Sequence, residues 1–346
     1  MNNNGSPAIG YGIALFPGMK PEEFVRLASI IDTDDAFDTL WVPDERFFRD
    51  MTVLLTLAAV STHRVHIGPA VTDPYVRHPA LTAAGLATIA EVSRGRLIAG
   101  IGAGVSGFTA MGLSQERPQV AIREAVGLIR SLWAGNAVDL DGRVVKFHGK
   151  LDFEPTYPAT PVWVAGRGPA VLRLGGEIAD GVLIGGLASE PGLAYAHARI
   201  DEGVTKSGRV DRPTRGVWLH TAVADDPVAA RAAVRNIVVG VLISSKSVIA
   251  EVGVPIPQHL LSALDGVAYG VNNPEMQHVA EMIDDEVLSH FAVAGTPREV
   301  GIRMHELARL GIDHVAIVPW LAEGQTFEQF LAGLSAAART SRALVS

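Results

Sequence analysis

The 346-residue chain has no cysteine, which removes disulfides, thiolate-bound metals and cysteine nucleophiles from consideration. It is also short of positive charge. Its 29 Lys and Arg stand against 37 Asp and Glu for a formal net charge of −8, and no basic run offers a surface to nucleic acid or an anionic membrane. There is no HExxH, no GxxxxGK and no GxSxG, since Ser106 sits in GVSGF; metallohydrolase, nucleotide triphosphatase and esterase readings lose their main support. The first residues, MNNNGSPAIG, lack the charged and apolar regions of a signal peptide. No apolar stretch approaches the roughly 20 residues needed to cross a bilayer, so a cytoplasmic location and a small-molecule partner are expected.

With 48% hydrophobic residues the chain can bury a large core, and it alternates short apolar runs with longer segments of helical period. That alternation is the signature of βα units around a parallel sheet. Eight strand candidates emerge: Tyr11 to Phe16, Thr39 to Val42, Val65 to Val71, Arg96 to Ile101, Val162 to Val164, Val182 to Ile184, Gly216 to Ala224 and His314 to Val318. Between them lie helical patterns such as Phe24, Leu27, Ala28 and Ile31, often begun by a proline suited to the first turn. The count predicts one (β/α)₈ TIM-barrel domain. VDLDGRVVKF, from Val138 to Phe147, reads as a hairpin turning at Asp141-Gly142. The segment from about 227 to 311 reads as an elaborated seventh βα connection, a candidate lid.

In such a barrel, chemistry belongs after the C-terminal ends of the strands. Gly102-Ala103-Gly104-Val105-Ser106-Gly107 matches a dinucleotide fingerprint in letters, but no helix opens at once and no acidic residue closes a following strand. It reads instead either as a side-chain-free wall for a flat ring or as a glycine cluster shaping a barrel corner. Ala165-Gly166-Arg167-Gly168-Pro169 ends a strand in a glycine turn that becomes a helix N-terminus, where unpaired N–H groups and Arg167 suit a phosphate. An ordinary turn with a solvated arginine is the alternative. Asp44-Glu45-Arg46, after strand two, offers carboxylates for proton transfer or an internally paired surface cluster. The proline-punctuated run from Gly68 to Pro79 implies a rigid, bulged backbone containing Ala70, Val71 and Thr72, with His78 starting the next helix.

The run from Val71 to Phe108 resembles luciferase-like monooxygenases, most of all their methylenetetrahydromethanopterin reductase branch. WVPDERFFRD, VWVAGRGP, IADGVLIGG and GTPREV are similar to the family at corresponding places, so the resemblance spans nearly the whole chain. It implies a bacterial-luciferase-like barrel, with a cofactor ring lying on a bulge after strand three. That bulge often holds a non-proline cis peptide, by position Ala70-Val71. The resemblance puts phosphate contacts on Arg167, Gly168, Pro169 and Ala170, and implies a homodimer.

Both reduced-FMN monooxygenases and enzymes of the deazaflavin coenzyme F420 share this family. Ala103 stands where the luciferase proper has a phosphate-binding arginine, and GAG there is similar to the F420 branch. A deazaflavin has carbon in place of the flavin N5 and exchanges hydride rather than reacting with oxygen. The expectation is therefore an F420-dependent oxidoreductase acting on a small organic substrate. A two-component FMN monooxygenase fed by a flavin reductase partner, or a flavin-binding barrel without turnover, are the alternatives. Many relatives carry Asp-His where this chain has Asp44-Glu45; these two carboxylates remain the candidate acid/base or substrate-contact residues.

Overall fold

The structure, a computed structural model, describes residues 9–104, 106–246, 248–268 and 273–344. In chain order the strands are β1 (Gly10–Ala14), β2 (Thr39–Val42), β3 (His66–Pro69), β4 (Ala99–Ile101), β5 (Val138–Asp141), β6 (Lys146–Gly149), β7 (Val162–Gly166), β8 (Gly181–Gly185), β9 (Thr214–Val223), β10 (Ala292–Gly295) and β11 (His314–Pro319). Between them run the helices α1 (Pro21–Thr33), α2 (Met51–Ser61), α3 (Pro79–Val92), α4 (Pro118–Trp133), α5 (Pro169–Ile178), α6 (Glu190–Ser207), α7 (Pro227–Ser245), α8 (Ile249–Val252), α9 (Gln258–Ala263), α10 (Pro274–Glu281), α11 (Asp285–Ser289), α12 (Pro297–Arg309) and α13 (Phe327–Ala343). Prolines 21, 79, 118, 169, 227, 274 and 297 each open a helix, where their missing N–H costs nothing and their fixed φ already matches the turn to come.

The parallel strands run β3-β2-β1-β11-β9-β8-β7-β4, and bridges Ile67 to Leu97 and Thr72 to Ile101 return β4 to β3, closing a TIM barrel. Alternation then sorts the side chains. Tyr11, Ile13, Leu40, Ile67, Val164, Val182, Val217, Leu219 and Ile317 face outward into the large core shared with the helices. Ala14, Trp41, Ala70, Ile98, Trp163, Leu183 and Ala316 form a separate cluster, with Trp218 and Ala165 packed against it. That second cluster is the barrel lumen.

The lumen is filled at its floor. Trp41 and Trp163 lie 5.5 Å apart, and Trp41 Nε1 donates to His314 Nε2 at 3.1 Å. Burial lowers the His314 pKa, with Asp38 the main opposing charge. Above that floor the lumen lining also includes the small residues Ala14, Ala70, Ala165 and Ala316.

Three expectations need correction. The hairpin does not turn at Asp141-Gly142: Asp141 pairs with Lys146, so residues 142–145 form a wider loop. Its cause is Glu124 of α4, whose carboxylate accepts the N–H groups of Arg143, Val144 and Val145 at 2.8, 2.9 and 2.9 Å. The long segment after β9 contains β10, which pairs in parallel with the end of β9; AVAG is too short and too small-residued to announce a strand. Finally, α7 is, by length and composition, apolar enough to cross a membrane. Its Ala230, Val234, Val238, Val239 and Leu242 are fully buried, which marks the core helix of a barrel.

Candidate active site at the barrel mouth

Between the two β3–β4 bridges, β3 advances from residue 67 to 72 while β4 advances from 97 to 101. Five steps opposite four is a bulge on β3, and the Ala70-Val71 peptide within it is cis. Thr72 N donates to Gly100 O at 3.1 Å and Gly102 N to Thr72 O at 2.9 Å, so the bulge is clasped on its far side. The clasp leaves no room for a side chain at Gly100 or Gly102. A Cβ on Gly100 would lie 2.0 Å from Pro69 O, and one on Gly102 2.5 Å from Val71 Cγ2. Gly102 is thus demanded by Val71, and the bare wall is made jointly by the bulge and β4.

The remaining glycines of the run answer to other neighbours. Gly104 has φ +72 and Gly107 φ +76, and Cβ atoms there would meet Phe108 at 3.1 Å and Arg46 Cβ at 2.6 Å. Gln115 Nε2 donates to both Ala103 O and Gly104 O at 2.7 Å. The corner role therefore accounts for Gly104 and Gly107. Val105 lies outside the described residues. Among the described residues no helix follows until a short 3-10 turn at Thr109–Met111, unlike a dinucleotide-binding turn, which opens a helix at once.

After β2, Asp44 Oδ2 accepts from Thr72 Oγ1 at 2.7 Å, which ties one candidate carboxylate directly to the bulge. Glu45 accepts from Ser106 Oγ. Arg46 is not a surface residue: it is 9% exposed, pairs with buried Asp73 and donates to the Asp44 carbonyl. Its guanidinium lies 5.4 Å from the Phe108 ring. His78 caps α3, its Nδ1 accepting from Ala80 N at 3.1 Å, and so takes the helix-starting role.

Across the barrel, β7 ends in Gly166 and α5 begins with Gly168 as N-cap, without a side-chain cap. A Cβ on Gly166 would meet Val171 at 2.6 Å, whereas nothing lies within 4 Å of one on Gly168; the helix end is open. Arg167 donates to Val241 O at 3.2 Å, Ser244 Oγ at 3.1 Å and Ser245 Oγ. Among the described residues it pairs with no carboxylate, and burial lowers its pKa to about 10. It is still a cation at neutral pH, half-buried and without a carboxylate partner among the described residues. Such a group is costly unless an anion completes it.

One further group stands at the mouth that no sequence motif marks. His220, on β9, follows Trp218 by two residues and shares its lumen-facing side. Its Nδ1 accepts from Trp320 Nε1 at 3.0 Å, and it is 9% exposed. Burial, then the Arg167 charge, lowers its pKa to about 3. The only sequence signal was its parity with Trp218 on one strand. A surface cavity of about 610 Å³ beside Arg130, Thr160, Glu177, Asp180 and Arg209 lies at the opposite end of β7, away from the mouth.

The family model of luciferase-like monooxygenases matches residues 4–314. The 5,10-methylenetetrahydromethanopterin reductase of Archaeoglobus fulgidus is 36% identical over 318 residues, covering 88% of this chain and 92% of that protein. The F420-dependent glucose-6-phosphate dehydrogenase of Beutenbergia cavernae is 30% identical over 272 residues, covering 75% and 74%. The coenzyme F420-dependent tetrahydromethanopterin reductase from Methanopyrus kandleri superposes with a TM-score of 0.79 at 25% identity, covering 96% of this chain and 98% of that one.

Proposed function

The chain belongs to the luciferase-like monooxygenase family, and from that premise we propose that it is an F420-dependent oxidoreductase transferring hydride between the deazaflavin and a small organic substrate. Arg167 is the observation that carries this reading. It is a half-buried cation without a carboxylate partner among the described residues, beside the uncapped N-terminus of α5, on the same mouth as the bulge. A phosphate on the ring's tail completes both groups.

The lumen fits a flat ring. Ala14, Ala70, Ala165 and Ala316 give its lining small side chains, and Gly100 and Gly102 hold β4 against the bulge. Ala70, Val71 and Thr72 back the ring; Gly102, Ala103 and Gly104 border it; Gly166 to Ala170 hold the phosphate. When bound, the deazaflavin supplies a ring carbon that gives or takes hydride. The protein's own share is to orient, to exclude water and to manage a proton, for which Asp44 and Glu45 are the candidates. F420 in the names of a glucose-6-phosphate dehydrogenase at 30% identity and of a tetrahydromethanopterin reductase structure at 25% identity supports this cofactor over FMN.

Titrating F420, FMN and FAD against the purified chain tests the reading, with Arg167→Glu as the phosphate-site control. F420 binding that the variant loses is the expected result. Tight binding of reduced FMN with oxygen consumption would overturn it in favour of a monooxygenase, and bound cofactor without turnover would leave a binding barrel. The same reading includes a homodimer, supported by the uncharged outer face of α2 and α3, and a lid drawn from residues 227–311. A cytoplasmic location accompanies it.

A further inference from the structure

The barrel order places two strands directly across from the bulge. Counting from β3 through β2 and β1, β11 is the third strand; counting from β4 through β7 and β8, β9 is the third. A ring resting on Ala70-Val71 therefore turns its other face toward β9 and the residue that follows β11. Those positions are His220 and Trp320.

The imidazole there is set in a particular form. Trp320 Nε1 is a donor only, and it points at His220 Nδ1 at 3.0 Å, so Nδ1 is the acceptor and the ring proton sits on Nε2. The two rings meet edge to face, centroids 5.9 Å apart, and Trp320 N is itself held by Thr221 O at 2.9 Å. Nε2 has no partner among the described residues and is not among the polar atoms sealed away from solvent. Arg167 is the charged group that faces this imidazole, and with burial it opposes a second proton, lowering the pKa to about 3.

A donor that stays neutral is suited to a neutral acceptor. An anionic substrate group would gain from a charged imidazolium, which this site excludes; a carbonyl or hydroxyl oxygen gains a directed hydrogen bond without competition from a salt bridge. We propose that His220 donates its Nε2–H to a neutral carbonyl or hydroxyl oxygen of the substrate, held on the face of the ring turned away from Ala70-Val71, and that Trp320 is the positioning residue fixing the tautomer. This rests on the functional reading above for the placement of the ring. His220 orients and polarises the C–O group; the proton that accompanies hydride transfer moves elsewhere.

The test uses the full chain labelled with ¹⁵N-histidine, with F420 binding followed in parallel by fluorescence polarisation. His220→Leu assigns the signal. In wild type, Nε2 should read as protonated and Nδ1 as an acceptor, unchanged through the mildly acidic range. Acetone, added toward molar concentration to the F420-loaded chain, should shift the Nε2 signal, whereas acetate should not. Trp320→Phe should admit the second tautomer. An Nδ1-protonated or readily titrating ring, silence toward acetone, or a Trp320→Phe spectrum like wild type overturns the assignment. A wild-type chain that binds no F420 brings down the functional reading and this proposal with it; intact F420 binding beside a wrong tautomer overturns the His220 assignment alone.

Discussion

Val71 Cγ2 stands 2.5 Å from the place a Cβ on Gly102 would occupy, so the bulge and β4 can touch only while residue 102 is glycine. Gly102→Ala must either displace Val71 or open the clasp in which Gly102 N donates to Thr72 O. Overpacking of this kind costs about 1–3 kcal/mol, and here the displaced side chain belongs to the ring's backing. The expected result is a lower melting temperature together with weakened F420 binding, read by calorimetry and fluorescence polarisation. A variant that melts and binds like wild type would contradict the joint wall.

Arg167 leads to a trade between stability and binding. Its cation is half-buried with no carboxylate partner among the described residues, so Arg167→Met removes an uncompensated charge and leaves the ligand-free chain as stable or more so. The same change removes charge-assisted hydrogen bonds worth about 1.5–3 kcal/mol each, which is roughly a ten- to hundredfold loss of F420 affinity. Urea denaturation and an F420 titration on the same preparation check both halves. A substantial loss of stability would show the arginine to be a structural strut instead.

The barrel was legible because its signals are local. Proline at the first turn of α1, α3 and α5 and the i, i+3, i+4, i+7 spacing in α1 each need only a short window of sequence. The wall of the site was legible in part. The glycine run pointed to the right place for a mixed reason, since Gly102 serves the bulge while Gly104 and Gly107 make room for Phe108 and Arg46. What the chain hides are relations across strands: Arg46 finding Asp73, Glu124 gathering a hairpin loop, and His220 meeting Trp320 a hundred residues on. No single-strand pattern encodes the partner, so a histidine with a defined tautomer looked like any other.

Asp44 and Glu45 separate by what each supports. Asp44 accepts from the Thr72 hydroxyl, and Thr72 is 1% exposed; Asp44→Ala strands a buried donor, at about 1–3 kcal/mol. Glu45, half-buried and bonded to Ser106, should cost within about 0.5 kcal/mol when replaced by alanine. Denaturation midpoints of the two variants measure the difference. Equal losses would place Glu45 in the structural network too.

His220 also sets a direction for acid stability. Its folded value of about 3 lies below the ordinary 6.5, so the unfolded chain binds the proton more readily. Stability fully present above pH 6.5 is lost as pH falls from 6.5 toward 3, by up to about 1.4 kcal/mol per pH unit. His197, His290 and His314 are lowered in the same direction by burial and add to the slope. Urea midpoints measured down this range should fall less steeply in His220→Gln, and an unchanged slope would mean that His220 already takes up its proton in the folded chain.

The outer face of α2 and α3 carries the quaternary expectation. Val53, Val60 and Leu81 are 58%, 59% and 59% exposed, and from Met51 to Ser61 and Pro79 to Ala90 there is no charged side chain at all. Exposed apolar side chains of this sort on neighbouring helices are costly to leave in water and are commonly covered by a partner. If a second copy covers it through a two-fold axis, each substitution is met twice in the interface. Val53→Glu together with Leu81→Glu then sets four like charges against one another. Light scattering should give twice the 36.6 kDa chain mass for wild type and the single-chain mass for the double variant. Because both side chains already face outward, the variant should keep its helical circular dichroism. A wild type of single-chain mass would show that this face is not a homodimer interface.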